Sequence, residues 1–187
     1  MTSIILCGGM SSRLGQPKAS ILRERLPLHL WWQNALAPFS ETIKISCNAE
    51  QLLQFKGQQT VLDYEYYKGP LSGIVSQINS DPDEAFFVTA CDLVYIRPQD
   101  INTIFRQRKK EYNATAMTDN TGHVFPLFAI LEPSIFPILE KEFREGKRSL
   151  LKVLSDTSIN IIPSDADFRG INTPRELNEY LQNHSNL

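Results

Sequence analysis

Histidine is scarce in this chain: His29, His123 and His184 are scattered without the spacing of metal ligands. The three cysteines, Cys7, Cys47 and Cys91, are odd in number and widely separated, which fits neither a disulfide framework nor a CxxC metal site. They are expected to be small buried core residues. There is no Ser/His/Asp or Cys/His constellation to support hydrolysis through a covalent intermediate. Charge of one sign is also lacking. With 19 Lys and Arg against 21 Asp and Glu, the net charge is −2, so no basic face is available for a nucleic acid polymer. The opening MTSIILCGGM has too short an apolar run for a signal peptide or membrane span and no basic flank, so a cytoplasmic location without membrane contact is expected. No repeat, low-complexity tract or composition shift marks a linker, and residues 1–187 read as one domain.

What is present is ordinary globular composition, 42% hydrophobic and 21% charged, in a chain long enough to bury about 70% of its unfolded surface. Short β-branched runs alternate with amphipathic stretches, the pattern of an α/β fold: a Rossmann-like three-layer α/β/α arrangement with a mostly parallel central sheet. Strands are expected at 3–6, 42–47, 60–62, 85–90, 114–117, 124–131 and 159–162. Helices are expected at 27–38, 70–80, 99–111, 133–145, 148–154 and 173–181. Pro27 and Pro70 suit a first helical turn, and Thr173 followed by Pro174 reads as an N-cap and first position.

The most informative segment is LCGGMSSRLGQPKAS, residues 6–20, directly after the first buried strand. Gly8 and Gly9 let the backbone approach a triphosphate and aim N–H groups at its oxygens. Ser11 and Ser12 add hydroxyl donors, while Arg13 and Lys18 supply two cations for charge gathering in a phosphoryl-type transition state. GxxxxGK[ST] is absent and the GxGxxG spacing is not kept, so this is a third kind of phosphate loop. Asp92, just past AFFVTA, lies at the carboxyl end of a buried strand, where open α/β sheets bind ligands. A single Asp beside a triphosphate loop suffices for Mg2+, which takes one or two carboxylates plus substrate phosphates. In GPLSGI, Gly69 and Pro70 start a helix while Ser72 and Gly73 permit close approach, by a ligand or by the sheet. Asn172 is a candidate second metal or phosphate contact and also part of an ordinary helix start. Lys147, Arg148 and Ser149 form a basic patch that either meets an acceptor phosphate or is a solvated helix start. Trp31 and Trp32 read as core packing.

GGMSSRLGQPK resembles the signature GGxSxRMGxxK of nucleotidyltransferases with a GT-A-like fold, and within them the MobA-like molybdenum cofactor guanylyltransferases. Later segments extend the resemblance: YKGPLSGI, TACDLVYI, PLFAI and INTPREL. It implies transfer of GMP from GTP to the phosphate of molybdopterin already carrying molybdenum, with Mg2+ as cofactor, pyrophosphate as leaving group, and transient contact with other cofactor-biosynthesis or acceptor proteins. It also implies nucleotide binding by Leu6, Cys7, Gly8, Gly9, Lys18, Asn48, Asp63, Gly69 and Asp92, with metal on Asp92 and chemistry on Arg13, Lys18 and Asp92. A gap-free alignment puts Ser46 in place of Asn48, and Gly170 stands where the family often has the first Asn of Asn-x-Asn. A cytidylyltransferase or sugar-phosphate nucleotidyltransferase on the same scaffold is the nearest alternative, since fold does not fix substrate. A nucleotide- or cofactor-binding module without turnover is the alternative of another class.

Overall fold

Each short β-branched run becomes a strand because a neighbouring run supplies its hydrogen bonds, and each amphipathic stretch becomes a helix because the sheet covers its apolar side. The computed structural model describes residues 1–8, 14–64, 69–147 and 149–184. In chain order these form β1 (Thr2–Leu6), β2 (Leu22–Arg23), β3 (Leu26–Pro27), α1 (Leu28–Leu36), β4 (Thr42–Cys47), β5 (Thr60–Leu62), α2 (Pro70–Ser80) and β6 (Phe86–Ala90). They continue with α3 (Pro98–Arg106), β7 (Ala114–Thr118), β8 (Val124–Leu131), α4 (Phe136–Arg144), α5 (Leu150–Ser155), β9 (Ile159–Pro163) and α6 (Pro174–His184). Three short 3-10 turns lie at Lys18–Ser20, Ala49–Phe55 and Pro133–Ile135.

Seven strands form one sheet in the order β5-β4-β1-β6-β8-β7-β9. β5, β4, β1 and β6 are parallel neighbours, β7 and β9 pair in parallel, and β8 alone runs against β6 and β7. The mostly parallel α/β sheet is therefore as expected. Alternation along each strand splits the core into two layers. On one face Ile5, Ile45, Phe87 and Phe128 pack with Trp32 and Leu36 of α1 and Ile101 and Ile104 of α3. On the other, Ile4, Phe86, Val88 and Leu131 pack with Ile74 and Ile78 of α2, Leu139 of α4 and Val153 of α5. A smaller cluster joins Leu14, Ile21 and Leu28 to Val94, Ile171 and Tyr180, and so holds α6 against the segment that follows β6.

Three local readings are corrected. Pro27 does not open a helix: it pairs with Leu22 in the β2–β3 hairpin, and α1 starts one residue later. The helix expected over 99–111 ends at Arg106. Beyond it Arg108 turns away to make paired hydrogen bonds of 2.6 and 2.7 Å with Glu132, while Asn160 Nδ2 donates to the Gln107 carbonyl at 2.8 Å. The stretch 133–145 opens as a 3-10 turn and becomes α-helical at Phe136, because Pro137 has no N–H to continue the ladder. Among the described residues no helix is long and apolar enough to cross a membrane.

Candidate active site

The carboxyl ends of β1, β4 and β6 lie side by side, so the residues that leave these strands converge on one edge of the sheet. A cavity of about 220 Å³ opens there, lined by Leu6, Gly8, Lys18, Ser46, Asp63, Gly69, Pro70, Gly73, Ala90, Cys91, Asp92 and Leu127. Among the anticipated residues, Leu6, Gly8, Lys18, Asp63, Gly69 and Asp92 are thus brought together. Gly9, Ser11, Ser12, Arg13 and Arg148 lie outside the described residues.

One cluster in the cavity is ionic. Lys18 Nζ donates to Asp92 Oδ2 at 2.5 Å and to Asn172 Oδ1 at 2.6 Å, although the three residues come from distant parts of the chain. Each is held from behind. Lys18 begins a 3-10 turn behind Pro17, with Ser20 Oγ donating to the Pro17 carbonyl at 2.7 Å. Asp92 follows β6 directly: the Cys91 N–H donates to the Leu6 carbonyl at 3.1 Å, and the buried Trp32 indole donates to the Cys91 carbonyl at 3.2 Å. The Ile171 N–H donates to the Asp92 carbonyl at 3.2 Å, and Leu93 and Gly170 form a β-bridge, so Asn172 arrives beside Asp92. A Cβ at position 170 would sit only 3.1 to 3.3 Å from the Asp92 carboxylate, so glycine there gives that carboxylate room. α6 then starts with a reciprocal cap. Glu176 Oε2 accepts from the Asn172 and Thr173 N–H groups at 2.7 and 2.9 Å, and Thr173 Oγ1 accepts from the Glu176 N–H at 3.3 Å. These backbone donors hold the Glu176 carboxyl below its ordinary pKa.

The second cluster centres on Asp63, after β5. Ser46 Oγ, on the last turn of β4 into the cavity, donates to Asp63 Oδ1 at 2.5 Å. A side chain at Gly8 would collide with Asp63 Oδ2, and one at Gly73 with Ser46 Oγ, so two glycines let the carboxylate sit against the backbone of both neighbouring elements. Burial pushes the Asp63 carboxyl up and the Ser46 hydroxyl pulls it back down. The Cys47 thiol beside it is pushed up to about 11, first by burial and then by the Asp63 charge. Gly69 precedes α2 at φ +114°, a conformation open to glycine, and Pro70 takes the first turn.

Asn48 stands otherwise. It caps the turn Ala49–Phe55, its Oδ1 accepting from the Gln51 N–H at 3.0 Å, and is not among the lining residues. Gln51 in turn donates from Nε2 to the Cys7 carbonyl at 3.1 Å. Cys7 itself is buried, as are Cys47 and Cys91. Burial, and the Cys91 thiol next to it, raise the Cys7 pKa well above the usual thiol value, which argues against a reactive role. Lys147 is engaged with Glu142 at 2.7 Å and Glu145 at 3.0 Å at the end of α4, while Ser149 caps the start of α5. The residue that sequence reasoning undervalued is Ser46. The strand alternation of TIKISC was a signal, since Ile45 is fully buried in the core and its neighbour must face the other way.

Comparisons with known proteins agree on the family. The model of the MobA-like NTP transferase domain matches residues 3–159. A molybdenum cofactor guanylyltransferase of Pseudomonas entomophila is 31% identical over 154 residues, covering 81% of this chain and 80% of its own. Another from Pseudomonas putida is 29% identical over 182 residues, with 94% and 95% covered. The crystal structure of molybdopterin-guanine dinucleotide biosynthesis protein A from Archaeoglobus fulgidus superposes with a TM-score of 0.82 at 21% identity, with all of both chains covered. By its matched domain and by its relatives, the chain belongs to the MobA-like NTP transferase family of nucleotidyltransferases.

Proposed function

We propose that this chain transfers GMP from GTP to the phosphate of molybdenum-bearing molybdopterin, releasing pyrophosphate, with Mg2+ as cofactor. The observation that carries the reading is the joining, in one cavity, of a recessed acceptor carboxylate at Asp63 with the Lys18–Asp92–Asn172 cluster. An ionised carboxylate only accepts hydrogen bonds. Guanine offers it two adjacent donors, N1–H and the 2-amino group, whereas cytosine sets the acceptor N3 beside its amino group and adenine does the same with N1. The names of the relatives support guanine as well.

Asp92 and Asn172 present hard oxygens that already hold a cationic nitrogen between them, a donor set suited to Mg2+. When bound, Mg2+ supplies positive charge for the triphosphate oxygens. The remaining roles belong to the chain. The backbone at Gly8 and Gly9 and the Arg13 guanidinium hold the triphosphate, and Gly69 shapes the pocket beside it. Leu6 and Cys7 contribute backbone at the start of the loop, and the Asn48 amide nitrogen remains as a donor toward the nucleotide. The acceptor phosphate oxygen attacks the α-phosphorus, one P–O bond forms, the bond to the β-phosphate oxygen breaks, and Lys18 stabilises the charge that builds between them. Positioning and electrostatics suffice, with no covalent enzyme intermediate.

Titration calorimetry with GTP, CTP, ATP and UTP, each with and without Mg2+, tests the substrate. Selective Mg2+-dependent GTP binding is expected; a preference for CTP would replace the substrate. Pyrophosphate release with acceptor then tests turnover. Asp92→Ala is expected to abolish it, and Lys18→Ala to lower it by roughly 100-fold or more. Nucleotide bound but never cleaved by the unaltered protein would make it a binding module instead.

A further inference from the structure

Ser46 is essentially buried at 1% exposure, and a buried hydroxyl needs a partner. It has one proton to give, and gives it to Asp63 Oδ1 at 2.5 Å. The two carboxylate oxygens are thereby made unequal. Oδ1 is turned to Ser46 and toward Gly73 of α2, while Oδ2 is turned toward Gly8 and the start of the phosphate loop. Neither glycine could carry a side chain here without displacing the pair, so the neighbouring backbones press on the carboxylate from both sides. Leu6, Pro70 and Leu127 give the same cavity its apolar wall, and Lys18 and Asp92 line it as well.

We propose that Ser46 is a positioning residue for base selection: by donating to Oδ1 it fixes the plane of the Asp63 carboxylate, so that it accepts from the imino and amino groups of guanine. This rests on the proposed guanine reading of Asp63. The direction of the electrostatics agrees, since the hydroxyl opposes the rise that burial imposes on this carboxyl. Among the described residues, the groups that face Asp63 are Ser46 and the Cys47 thiol from β4, Gly8 after β1 and Gly73 from α2. Cys47, pushed up to about 11, stays neutral through any neutral or acidic assay. Lys18 and Asp92 line the same cavity but are engaged with each other. Ser46 therefore sets the part of the acid limb of GTP binding that belongs to Asp63.

The test is a double-mutant cycle of Ser46→Ala and Asp63→Asn, read by GTP calorimetry across the acid to neutral range, with pyrophosphate release at saturating GTP alongside. A carboxylate no longer held in plane forfeits about one hydrogen bond from guanine to a charged acceptor, which is worth roughly ten-fold or more in binding. Ser46→Ala is expected to weaken GTP by that factor, to move the acid limb of binding to higher pH, and to leave turnover at saturation unchanged. In the Asp63→Asn background the same change is expected to do almost nothing. If Ser46→Ala weakens GTP equally in both backgrounds, or leaves the acid limb in place, the positioning role is overturned while guanine reading by Asp63 stands. If Asp63→Asn itself leaves GTP affinity and selectivity intact, the reading of Asp63 fails and the role of Ser46 fails with it.

Discussion

Asp63 is held in the folded chain at a cost that its own neighbours reveal. It is half-buried beside a buried sheet, its pKa is raised by that burial, and the single hydroxyl of Ser46 offsets only part of the rise. A carboxyl with a raised folded pKa binds protons more readily in the native state than in the unfolded state. Stability therefore falls as pH rises from the unfolded carboxylate value through the folded one, and the loss is complete above it. Asp63→Asn keeps the shape and an oxygen to accept from Ser46 but removes the charge. The variant is expected to melt at a higher temperature than the wild type at neutral pH, with the difference vanishing as the pH is taken below the carboxylate range. Thermal melts of both proteins across that range check this. A variant that melts lower at neutral pH would mean that the carboxylate stabilises the nucleotide-free fold. The same substitution is expected to weaken GTP, so stability and binding move in opposite directions, as at many functional sites.

At the scale of elements, the β2–β3 hairpin is the least economical part of the fold. Its two-residue turn, Glu24–Arg25, has φ of +50° and +64°, the left-handed pair of a type I′ turn, without an Asn or Gly to relieve it. Each such residue costs on the order of 1 kcal/mol. Replacing Glu24–Arg25 by Asn–Gly is expected to stabilise the protein by roughly 1–2 kcal/mol, read as a higher denaturant midpoint at unchanged slope. No gain would mean that the strain is relieved by contacts of the two side chains. This turn also shows what the sequence hides. The strands and helices with strong periodicity were legible, and glycine, charge and strand ends pointed to Gly8, Lys18 and Asp92 at one edge of the sheet, whereas Asp63 came only from the family resemblance. The hairpin was not, since RERL carries no turn chemistry and Pro27 looked like a helix start. The partners of Lys18 were only half legible. Asp92 and Asn172 stood out singly, but 80 residues separate them, and no local pattern states that both reach the same nitrogen. For Ser46, alternation along β4 gave the side it faces, whereas its pairing with Asp63 depends on β4 lying between β1 and β5.

At the scale of the molecule, the sheet order was beyond the sequence, because β8 enters between β6 and β7 and runs against both, a pairing fixed only by distant packing. That insertion has a consequence for cooperativity. β8 places Phe128 and Ile130 in one core layer and Ala129 and Leu131 in the other, so neither layer can open without baring half of the strand in the middle of the sheet. Residues 133–184 return to the same sheet through β9 and to Lys18 through Asn172. The chain is therefore expected to unfold as one domain, in a single calorimetric transition whose van't Hoff and measured enthalpies agree. GTP with Mg2+ at about 100 times its dissociation constant adds roughly 2.7 kcal/mol, which should move the whole transition up by roughly 5–10 °C. Two transitions, of which only one shifts with nucleotide, would instead divide the chain into a nucleotide-binding unit and a separate remainder. The hydrogen bond from Lys18 to Asn172 would then be a contact between units rather than a tie within one.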